Sequence, residues 1–421
     1  MKKIVFTTFG SLGDLHPVMA IAIELKNKGH VPVIGTSEFY REYIESSGID
    51  FHPIRPHINH KDPAIIKAVL DTRNGPEILH KKYLFPYLQE SLDDLNEVAK
   101  DADLIIGSVL TYYTPISAHL NKIPWLNMIV APISMWSGYD PPILAPLPFL
   151  GKMRFLPPSW HHWILKQLFR VSKSWAKPLE KLRKENGMSN EHNPFSGGLY
   201  QGAKTVCLWS KNFYPKQIDW PENAETTGFV FFDPKSGEPL DQSIIDFRKR
   251  HKTVAVFTLG STTILDAEDL LKIFFSCANE LDMGCIITCG DKANEYEHLN
   301  SDKILVVKYA PYSNLFPIAD IIVHQGGVGT TSQCLKAGKP QIVIPFCMDQ
   351  FDNGYRIQRL GCGKVIEKKH LKTKNLVSTI KEAMVDQHIL KNCQDMHQSL
   401  EQENGIGNAA DEILSCLTES Q

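Results

Sequence analysis

The run HQGGVGTT at residues 324–331 is the most informative stretch of this chain. It follows the apolar run Ile321–Val323, and this order predicts a strand, a glycine turn and then a helix. Backbone N–H groups at a helix N-terminus lack intrahelical partners, and the helix dipole favours an anion there. Glycines let the main chain approach such an anion, and a histidine can donate to the same oxygens. The run therefore predicts a diphosphate site.

The alternative interpretation of this run is a tight turn with a capping histidine. Two threonines follow the glycines, and the segment PFCMDQ at residues 345–350 adds an acid and an amide farther along. We favour the functional interpretation because these residue types occur together. Gly260-Ser261, at the end of another predicted strand, is a plausible second contact to the anion.

A second glycine turn, FGSLGDLHP at residues 9–17, follows the first predicted strand. It lacks the G-x-G-x-x-G pattern of dinucleotide-binding proteins. Asp14 could simply cap a helix that begins at Pro17, as acidic residues often do. It could equally be a general base held on a strand–helix turn. The spacing leaves both interpretations open.

Strand-like and helix-like segments alternate through both halves, which predicts an α/β protein with parallel sheets. Strands are predicted at 3–8, 31–36, 103–107, 125–130, 253–258, 285–288, 304–307, 321–323 and 341–345. Helices are predicted at 17–28, 38–46, 84–99, 160–175, 269–280, 374–384 and 409–417. Two such halves predict two domains with a ligand in the cleft that they face.

The predicted domain boundaries follow from proline and glycine content. They are an acceptor-binding domain at 1–215, a linker at 216–240, a nucleotide-sugar domain at 241–400 and a C-terminal helix at 401–421 that packs back on the first domain.

Composition excludes several classes of protein. The formal net charge is −2 and no basic block indicates nucleic acid. Nine cysteines without a C-x-x-C pair favour a reduced cytosolic protein in which most of them are buried. No apolar stretch reaches the ~18 residues of a membrane span. We expect a cytoplasmic protein, or one peripheral to the inner face of a membrane through the aromatic and basic segment Trp160–Trp175.

Other candidate ligands are weaker. His52, His57 and His60 lie in a proline-containing loop without the spacing of metal ligands. Asp101 and Asp103 immediately precede an apolar strand, which favours a turn with capping acids. No metal site is predicted.

The two glycine turns resemble those of nucleotide-sugar glycosyltransferases of the GT-B fold, which comprises two Rossmann-like domains. Within the UDP-glycosyltransferase family, the segments GSLGDLHP at 10–17 and HQGG at 324–327 are most similar to the bacterial, sterol and rhamnolipid-type branch. The resemblance extends over nearly the whole chain.

The resemblance implies a role for each matching residue. Asp14 corresponds to the base that activates the acceptor, and Ser11 and Gly13 beside it are among the implied donor-binding positions. His324 corresponds to the residue that binds the donor diphosphate, and Asp349 and Gln350 to the pair that holds the sugar hydroxyls, with Asn353 just beyond. The remaining donor-site positions implied are Gly260, Ser261, Tyr309, Ala310, Gly326, Gly327, Val328, Gly329 and Thr330.

Three positions depart from the plant branch of that family. Tyr309 replaces a tryptophan that stacks on the base. Ser332 replaces a glutamate that binds the ribose hydroxyls, so a dTDP-sugar is as admissible as a UDP-sugar. Ser108 replaces the aspartate that activates a catalytic histidine, which fits an aspartate base at Asp14.

The expected activity is inverting, metal-independent transfer of a hexose from a UDP- or dTDP-sugar to a hydroxyl of an apolar acceptor. No cofactor is implied beyond the donor as co-substrate. Residues 60–200, rich in aromatics, prolines and leucines, should form most of the pocket for a lipid, sterol, hydroxy fatty acid or aromatic natural product. A nucleotide-sugar epimerase and a non-catalytic sugar-nucleotide sensor remain alternatives.

Overall fold

The computed structural model describes residues 1–59, 62–189, 193, 195, 201–233, 237–260 and 268–418. The chain forms two compact units. Unit 1 contains Met1–Pro142, Phe149–Phe232 and Asn404–Gln421, and unit 2 contains Ile143–Pro148 and Asp233–Glu403. Within the described residues all nine cysteines are free and buried, as expected from their spacing.

Unit 1 is built on a parallel sheet with the strand order β3-β2-β1-β4-β5-β6-β7 in the described residues. The strands are β1 (Lys3–Thr7), β2 (Val31–Thr36), β3 (Asp50–Pro53), β4 (Leu104–Ser108), β5 (Trp125–Ile129), β6 (Thr205–Cys207) and β7 (Ala224–Thr226). Its helices are α1 (Leu12–Asn27), α2 (Arg41–Glu45), α3 (Pro63–Val69), α4 (Gly75–Ile78), α5 (Leu88–Ala99), α6 (Thr114–Asn121), α7 (Pro158–Lys173) and α8 (Lys177–Glu185). Every pairing in this sheet is parallel, as predicted.

Both faces of the unit 1 sheet are covered, because successive side chains of its central strand enter different cores. Ile4 and Phe6 pack in one cluster with α1, whereas Val5 packs in the other with α5. Burial on two faces explains why β1 is an unbroken apolar run rather than an alternating one.

Unit 2 has a second parallel sheet with the order β10-β9-β8-β11-β12-β13 in the described residues. Its strands are β8 (Val254–Phe257), β9 (Gly284–Thr288), β10 (Ile304–Val307), β11 (Ile321–His324), β12 (Gln341–Val343) and β13 (Gly363–Val365). Its helices are α9 (Gln242–Arg250), α10 (Glu268–Glu280), α11 (Ala293–Tyr296), α12 (Tyr312–Leu315), α13 (Val328–Lys336), α14 (Gln350–Arg359), α15 (Thr373–Val385) and α16 (Gln387–Glu401).

The last helix, α17 (Gly405–Thr418), belongs to unit 1 although the chain reaches it from unit 2. Ala409, Ala410 and Ile413 are buried in the core cluster that also holds α1. Asn408 Nδ2 donates to the Thr227 carbonyl at 2.9 Å, which fixes the start of the helix.

Two boundaries differ from the sequence-based domains. The segment predicted as a linker, 216–240, contains strand β7, because residues 224–226 pair with β6 and complete the sheet edge. Residues 143–148 belong to unit 2 rather than to the first domain. The Ile143 N–H donates to the buried Asp352 carboxylate at 3.0 Å, and this bond holds the segment there.

The strand order changes direction at β1 and β4 in unit 1 and at β8 and β11 in unit 2. In open parallel sheets, ligands bind outside the carboxyl ends of the strands at such switch points. The turn with Asp14 follows β1, and the turn with Gly326 follows β11. The topology therefore places each predicted turn at the switch point of its own sheet.

Candidate active site

Asp14 lies in the first turn of α1, which begins at Leu12 rather than at the predicted Pro17. Ser11 is the N-cap, and its hydroxyl accepts from the Gly13 N–H at 3.2 Å. Asp14 Oδ2 accepts from the Ser11 N–H at 2.8 Å, which completes a capping box. Capping starts the helix five residues early, and Pro17 is accommodated inside it.

Gly10 lets the Asp14 carboxylate fold back onto this turn. Its φ is +143°, and a Cβ at Gly10 would overlap the Asp14 carboxylate. Tyr40, which the sequence did not single out, donates its hydroxyl to the Gly10 carbonyl at 3.1 Å. A side chain cannot be added at Gly10 without displacing Asp14.

Burial raises the pKa of Asp14 to about 6, although the Ser11 hydrogen bonds oppose the shift. A carboxylate with such a pKa is ionised at neutral pH and is a stronger base than an exposed aspartate. The capping role and the base role are therefore compatible. Capping fixes the orientation of the carboxylate, and desolvation raises its basicity.

His16, two residues after Asp14, is a second side chain in this turn that could act as a base, and it contacts residues of unit 1. Its Nε2 lies 2.8 Å from the Tyr43 hydroxyl, and its ring packs against Phe232 with centroids 5.2 Å apart. Ser108, at the end of the neighbouring strand β4, has a buried hydroxyl without a partner among the described residues. No carboxylate stands at Ser108 to activate a histidine.

In unit 2, the turn after β11 requires glycine at residue 326. Gly326 has a φ of +94°, and a Cβ there would lie 2.6 Å from Val343 Cγ1. Gly327 is the N-cap of α13 and has no side chain that could cap the helix. Gly329 faces open space, since a Cβ there would contact nothing within 4 Å. In the first turn of α13, the N–H groups of Gly329 and Thr330 have no acceptor within the helix.

His324 is fully buried, and both of its ring nitrogens have partners within unit 2. The Gly326 N–H donates to Nδ1 at 3.0 Å, so Nε2 carries the proton and donates to Gln341 Oε1 at 2.9 Å. Burial lowers the pKa of His324 to about 4. We expected this ring to contact the diphosphate directly. In this structure it is neutral and fixes the glycine turn, because both nitrogens already have partners.

Asp349 and Gln350 also hydrogen-bond to the main chain. Asp349 Oδ2 accepts from the Val328 N–H at 3.1 Å and from Asn353 Nδ2 at 2.7 Å. Gln350 Oε1 accepts from the Phe346 N–H at 2.8 Å. Asp349 thus caps α13 in place of the missing side chain at Gly327. The resemblance assigned sugar hydroxyls to this pair, whereas these oxygens bond to backbone amides here.

Buried polar atoms without partners are concentrated around this turn. Among the described residues no hydrogen bond reaches Gln325 Oε1, Thr331 Oγ1, Gln341 Nε2 or Asn353 Oδ1. An unpaired buried polar atom costs about 1–3 kcal/mol, so such atoms mark places where a ligand or water completes the network. Met348 has a φ of +49°, which is rare for a residue with a side chain and adds backbone strain beside them.

The other predicted donor-site residues lie at the same edge of the unit 2 sheet. Gly260, with a φ of +67°, follows β8 and approaches Gln325 closely enough that a Cβ would overlap its amide. Tyr309 follows β10 with 52% of its surface exposed, and its hydroxyl contacts Asp233 at 3.2 Å. Ser332 is buried and donates to the Gly329 carbonyl at 2.9 Å. Ser261 lies outside the described residues.

The described residues contain no group of three or more histidine, cysteine or acidic side chains that could hold a metal ion. No helix in the described part of the chain is both long and apolar enough to cross a membrane.

Comparisons with known proteins agree with the two-unit architecture. The glycosyltransferase family 28 N-terminal domain matches residues 4–90, and the erythromycin biosynthesis protein CIII-like C-terminal domain matches residues 272–412. A sterol 3-beta-glucosyltransferase of Debaryomyces hansenii is 26% identical over 96% of this chain, which spans only 26% of that protein. The chain likewise spans about a quarter to a third of the other sterol glucosyltransferases that it matches.

A relative of similar length is the O-mycaminosyltylonolide 6-deoxyallosyltransferase of Streptomyces fradiae. It is 24% identical, with 97% of this chain and 96% of that protein covered. Among solved structures, the glycosyltransferase VinC in complex with dTDP superposes with a TM-score of 0.67 and 18% identity, over 99% of this chain and 100% of that chain. Together with the two domain matches, these similarities show that the chain has the fold of the GT-B glycosyltransferases.

Proposed function

We propose that this protein transfers a hexose from a UDP- or dTDP-sugar to a hydroxyl group of an apolar acceptor, with inversion at the anomeric carbon. One observation carries the proposal: a glycine turn follows the strand at the switch point of each sheet. The turn of unit 1 holds a carboxylate of raised pKa, and the turn of unit 2 begins a helix whose Gly329 and Thr330 N–H groups have no acceptor within the helix. Acceptor activation is assigned to unit 1 and donor binding to unit 2.

In the proposed reaction, Asp14 accepts the proton of the acceptor hydroxyl while its oxygen attacks the anomeric carbon. The bond from that carbon to the nucleoside diphosphate breaks, and the diphosphate leaves with the bonding electron pair. The amides of Gly329 and Thr330 and the dipole of α13 stabilise the developing charge. These N–H groups and the helix dipole place partial positive charge beside the leaving diphosphate. Their presence supports a reaction that needs no metal ion.

The donor nucleotide is proposed to stack on the exposed ring of Tyr309. The buried Ser332 hydroxyl binds within its own helix and supplies no carboxylate for a ribose 2′-hydroxyl. A dTDP-sugar is therefore as acceptable as a UDP-sugar, and dTDP bound to the structural neighbour VinC supports its inclusion.

The acceptor is proposed to be a sterol, another lipid, a hydroxy fatty acid or an aromatic natural product. The names of the relatives, a sterol glucosyltransferase and a transferase acting on a tylonolide, support this class. Contact of α7 with a membrane surface stays a prediction, supported by Trp160 and Trp163, which expose 56% and 58% of their surface.

The test is the substitution Asp14→Asn, whose side-chain oxygen can still accept from the Ser11 N–H. Turnover with a sterol acceptor should fall at least ~100-fold, the usual scale for loss of a general base. Binding of UDP or dTDP and the unfolding temperature should change little. The matched control is Asp386→Asn at the N-cap of α16, where turnover should be unaffected.

Unchanged turnover in Asp14→Asn would contradict the role of Asp14 and favour either His16 as the base or a reaction without a general base. Incubation of the donor alone separates the alternatives. An epimerase would release a changed sugar nucleotide without an acceptor, and a non-catalytic sensor would bind the donor without turnover even when an acceptor is supplied.

A further inference from the structure

A cavity of about 570 Å³ lies within unit 1 beside helix α7, and none of its lining residues belongs to the candidate active site. This volume is in the usual range of small-molecule sites. One side is formed by α7, and the other by Met135, Trp136 and the segment 219–221. The cavity is thus large enough for a ligand, and it is not lined by Asp14 or by the glycine turn of unit 1.

The floor of the cavity is apolar and aromatic. Leu165 and Trp220 are both buried, and the rings of Trp136 and Phe169 meet edge to face with centroids 4.9 Å apart. The buried indole N–H of Trp220 has no hydrogen-bond partner among the described residues. Such a floor favours a hydrocarbon or aromatic body.

The rim that α7 contributes is cationic. Lys166, Arg170 and Lys173 are exposed and line the cavity, and their spacing of four and three residues puts them on one stripe of the helix. The helix contains no acidic residue. Among the described residues, no acidic side chain lies within ion-pair distance of these three cations, and the net charge of the stripe within this part of the chain is positive.

Asp219, the acidic residue in the lining, already forms hydrogen bonds with other residues of unit 1. Its carboxylate accepts from the Ser137 hydroxyl at 2.6 Å, the Gly138 N–H at 2.7 Å and His162 Nε2 at 2.8 Å. It therefore orders the wall of the cavity and leaves the cationic stripe available for an external anion.

We propose that this cavity binds an anionic amphiphile, with the apolar body on Trp136, Leu165 and Phe169 and a phosphate or carboxylate head on Lys166, Arg170 and Lys173. We take the ligand to be a dispersed fatty acid or phosphate ester rather than a lipid held in a membrane. The binding itself does not require glycosyl transfer, so it is tested separately from the proposed function.

The test is a calorimetric titration of the full chain with decyl phosphate, at concentrations below those at which it forms micelles. We expect saturable 1:1 binding, at least ~10-fold tighter than that of inorganic phosphate because the decyl chain is buried. The triple variant K166Q/R170Q/K173Q should bind about 10-fold more weakly, as expected for the loss of three partly exposed ion pairs. The matched control K177Q/K181Q/K184Q removes the same charge from the exposed face of α8 and should stay within about twofold of the wild type.

The position of the ligand is tested with a brominated decanoate, which quenches tryptophan fluorescence on contact. Trp136→Phe should reduce the quenching, whereas Trp160→Phe, outside the cavity, should leave it unchanged. A second titration uses phosphatidylcholine vesicles with and without phosphatidylserine, and it distinguishes dispersed from membrane-borne ligand.

Three results would overturn the proposal. They are absence of saturable binding to decyl phosphate, equal weakening by the two triple variants, and binding to anionic vesicles alone. The last would indicate that the surface of α7 contacts membranes while the cavity stays empty.

Discussion

At the scale of single residues, Asp14 and His324 are perturbed in opposite senses by the same cause. Burial disfavours the charged form of each, so it raises the pKa of the aspartate and lowers that of the histidine. Asp14 becomes a better base, and His324 becomes a neutral hydrogen-bonding group. Residue type alone suggests both as functional candidates. Only their surroundings show that Asp14 can act as a base and that His324 holds the glycine turn through hydrogen bonds.

The raised pKa of Asp14 predicts the pH dependence of turnover. Because the base must be ionised, kcat/KM should fall about tenfold per unit as the pH drops below about 6. This acidic limb should disappear from the residual activity of Asp14→Asn and persist in His16→Gln. Loss of the limb in the histidine variant instead would transfer the assignment to His16.

The two shifts also have opposite effects on stability. Asp14 binds a proton more readily in the folded state, so its contribution to the free energy of unfolding falls as pH rises from 3.8 to about 6. His324 binds one less readily, so its contribution rises from about pH 4 to 6.5. Together they flatten the pH dependence of stability in this window.

The substitution His324→Ala distinguishes an organising role from direct contact with the donor. It leaves the Gly326 N–H and Gln341 Oε1 unpaired in a buried site, at a cost of about 1–3 kcal/mol for each group. We therefore expect the free energy of unfolding and the affinity for dTDP to fall together. A loss of affinity at unchanged stability would indicate direct contact. His388→Ala, at an exposed position in the first turn of α16, is the control.

At the scale of elements, caps and glycines decide where the site helices begin. The capping box of Ser11 and Asp14 starts α1 at Leu12, although Pro17 had suggested a later start because proline favours the first helical position. Helix α13 starts at Val328 with its cap supplied by Asp349, twenty-one residues farther along the chain. A cap within the same helix can be found from sequence, whereas a cap from another element cannot.

Two glycines of the unit 2 turn should respond differently to alanine. Gly326→Ala places a Cβ 2.6 Å from Val343 Cγ1 at a positive φ, so we expect destabilisation of at least ~1–2 kcal/mol. Gly329→Ala meets open space in a helix and should leave stability equal or up to ~1 kcal/mol higher.

If Gly329 approaches the donor diphosphate, its alanine variant should also bind dTDP more weakly. Urea unfolding and calorimetric titration of both variants measure these effects. Full affinity in Gly329→Ala would contradict the proposed approach of the α13 amides to the diphosphate.

At the scale of the whole molecule, neither unit is a single continuous stretch of the chain. Unit 1 is completed by α17, and unit 2 includes residues 143–148 from the first half of the chain. Helix α17 is fastened within unit 1 by its apolar face and by an ion pair between Lys28 and Asp411 at 2.8 Å. The C-terminus is therefore part of the unit that the N-terminus begins.

This arrangement predicts that a substitution near the C-terminus destabilises unit 1. Ile413→Ala removes a fully buried side chain from the core beside α1 and should lower the free energy of urea unfolding of unit 1 by about 2–4 kcal/mol. Leu414→Ala, on the partly buried side of the same helix, should cost less. Binding of dTDP, assigned to unit 2, should be unchanged in both. A loss of dTDP binding in Ile413→Ala would contradict this assignment.

The sequence by itself determined the fold class and the positions of both glycine turns. Apolar runs, glycines and capping residues are local signals, so β1, β8 and β11 and the turns after them were predictable to within about a residue or two. The short strands β3, β6, β7 and β13 were missed, because so few residues depend on pairing with a neighbour to form a strand.

Only the tertiary structure decided what the side chains at the turns do. It brought Gln341 to His324, Asp349 to Val328 and residues 143–148 to Asp352, all contacts between segments that local patterns cannot connect. It also brought α7 and segment 219–221 together as two walls of one cavity. The physical reason is that burial and hydrogen-bond partners set pKa, orientation and ligand access, and these come from residues distant in the chain.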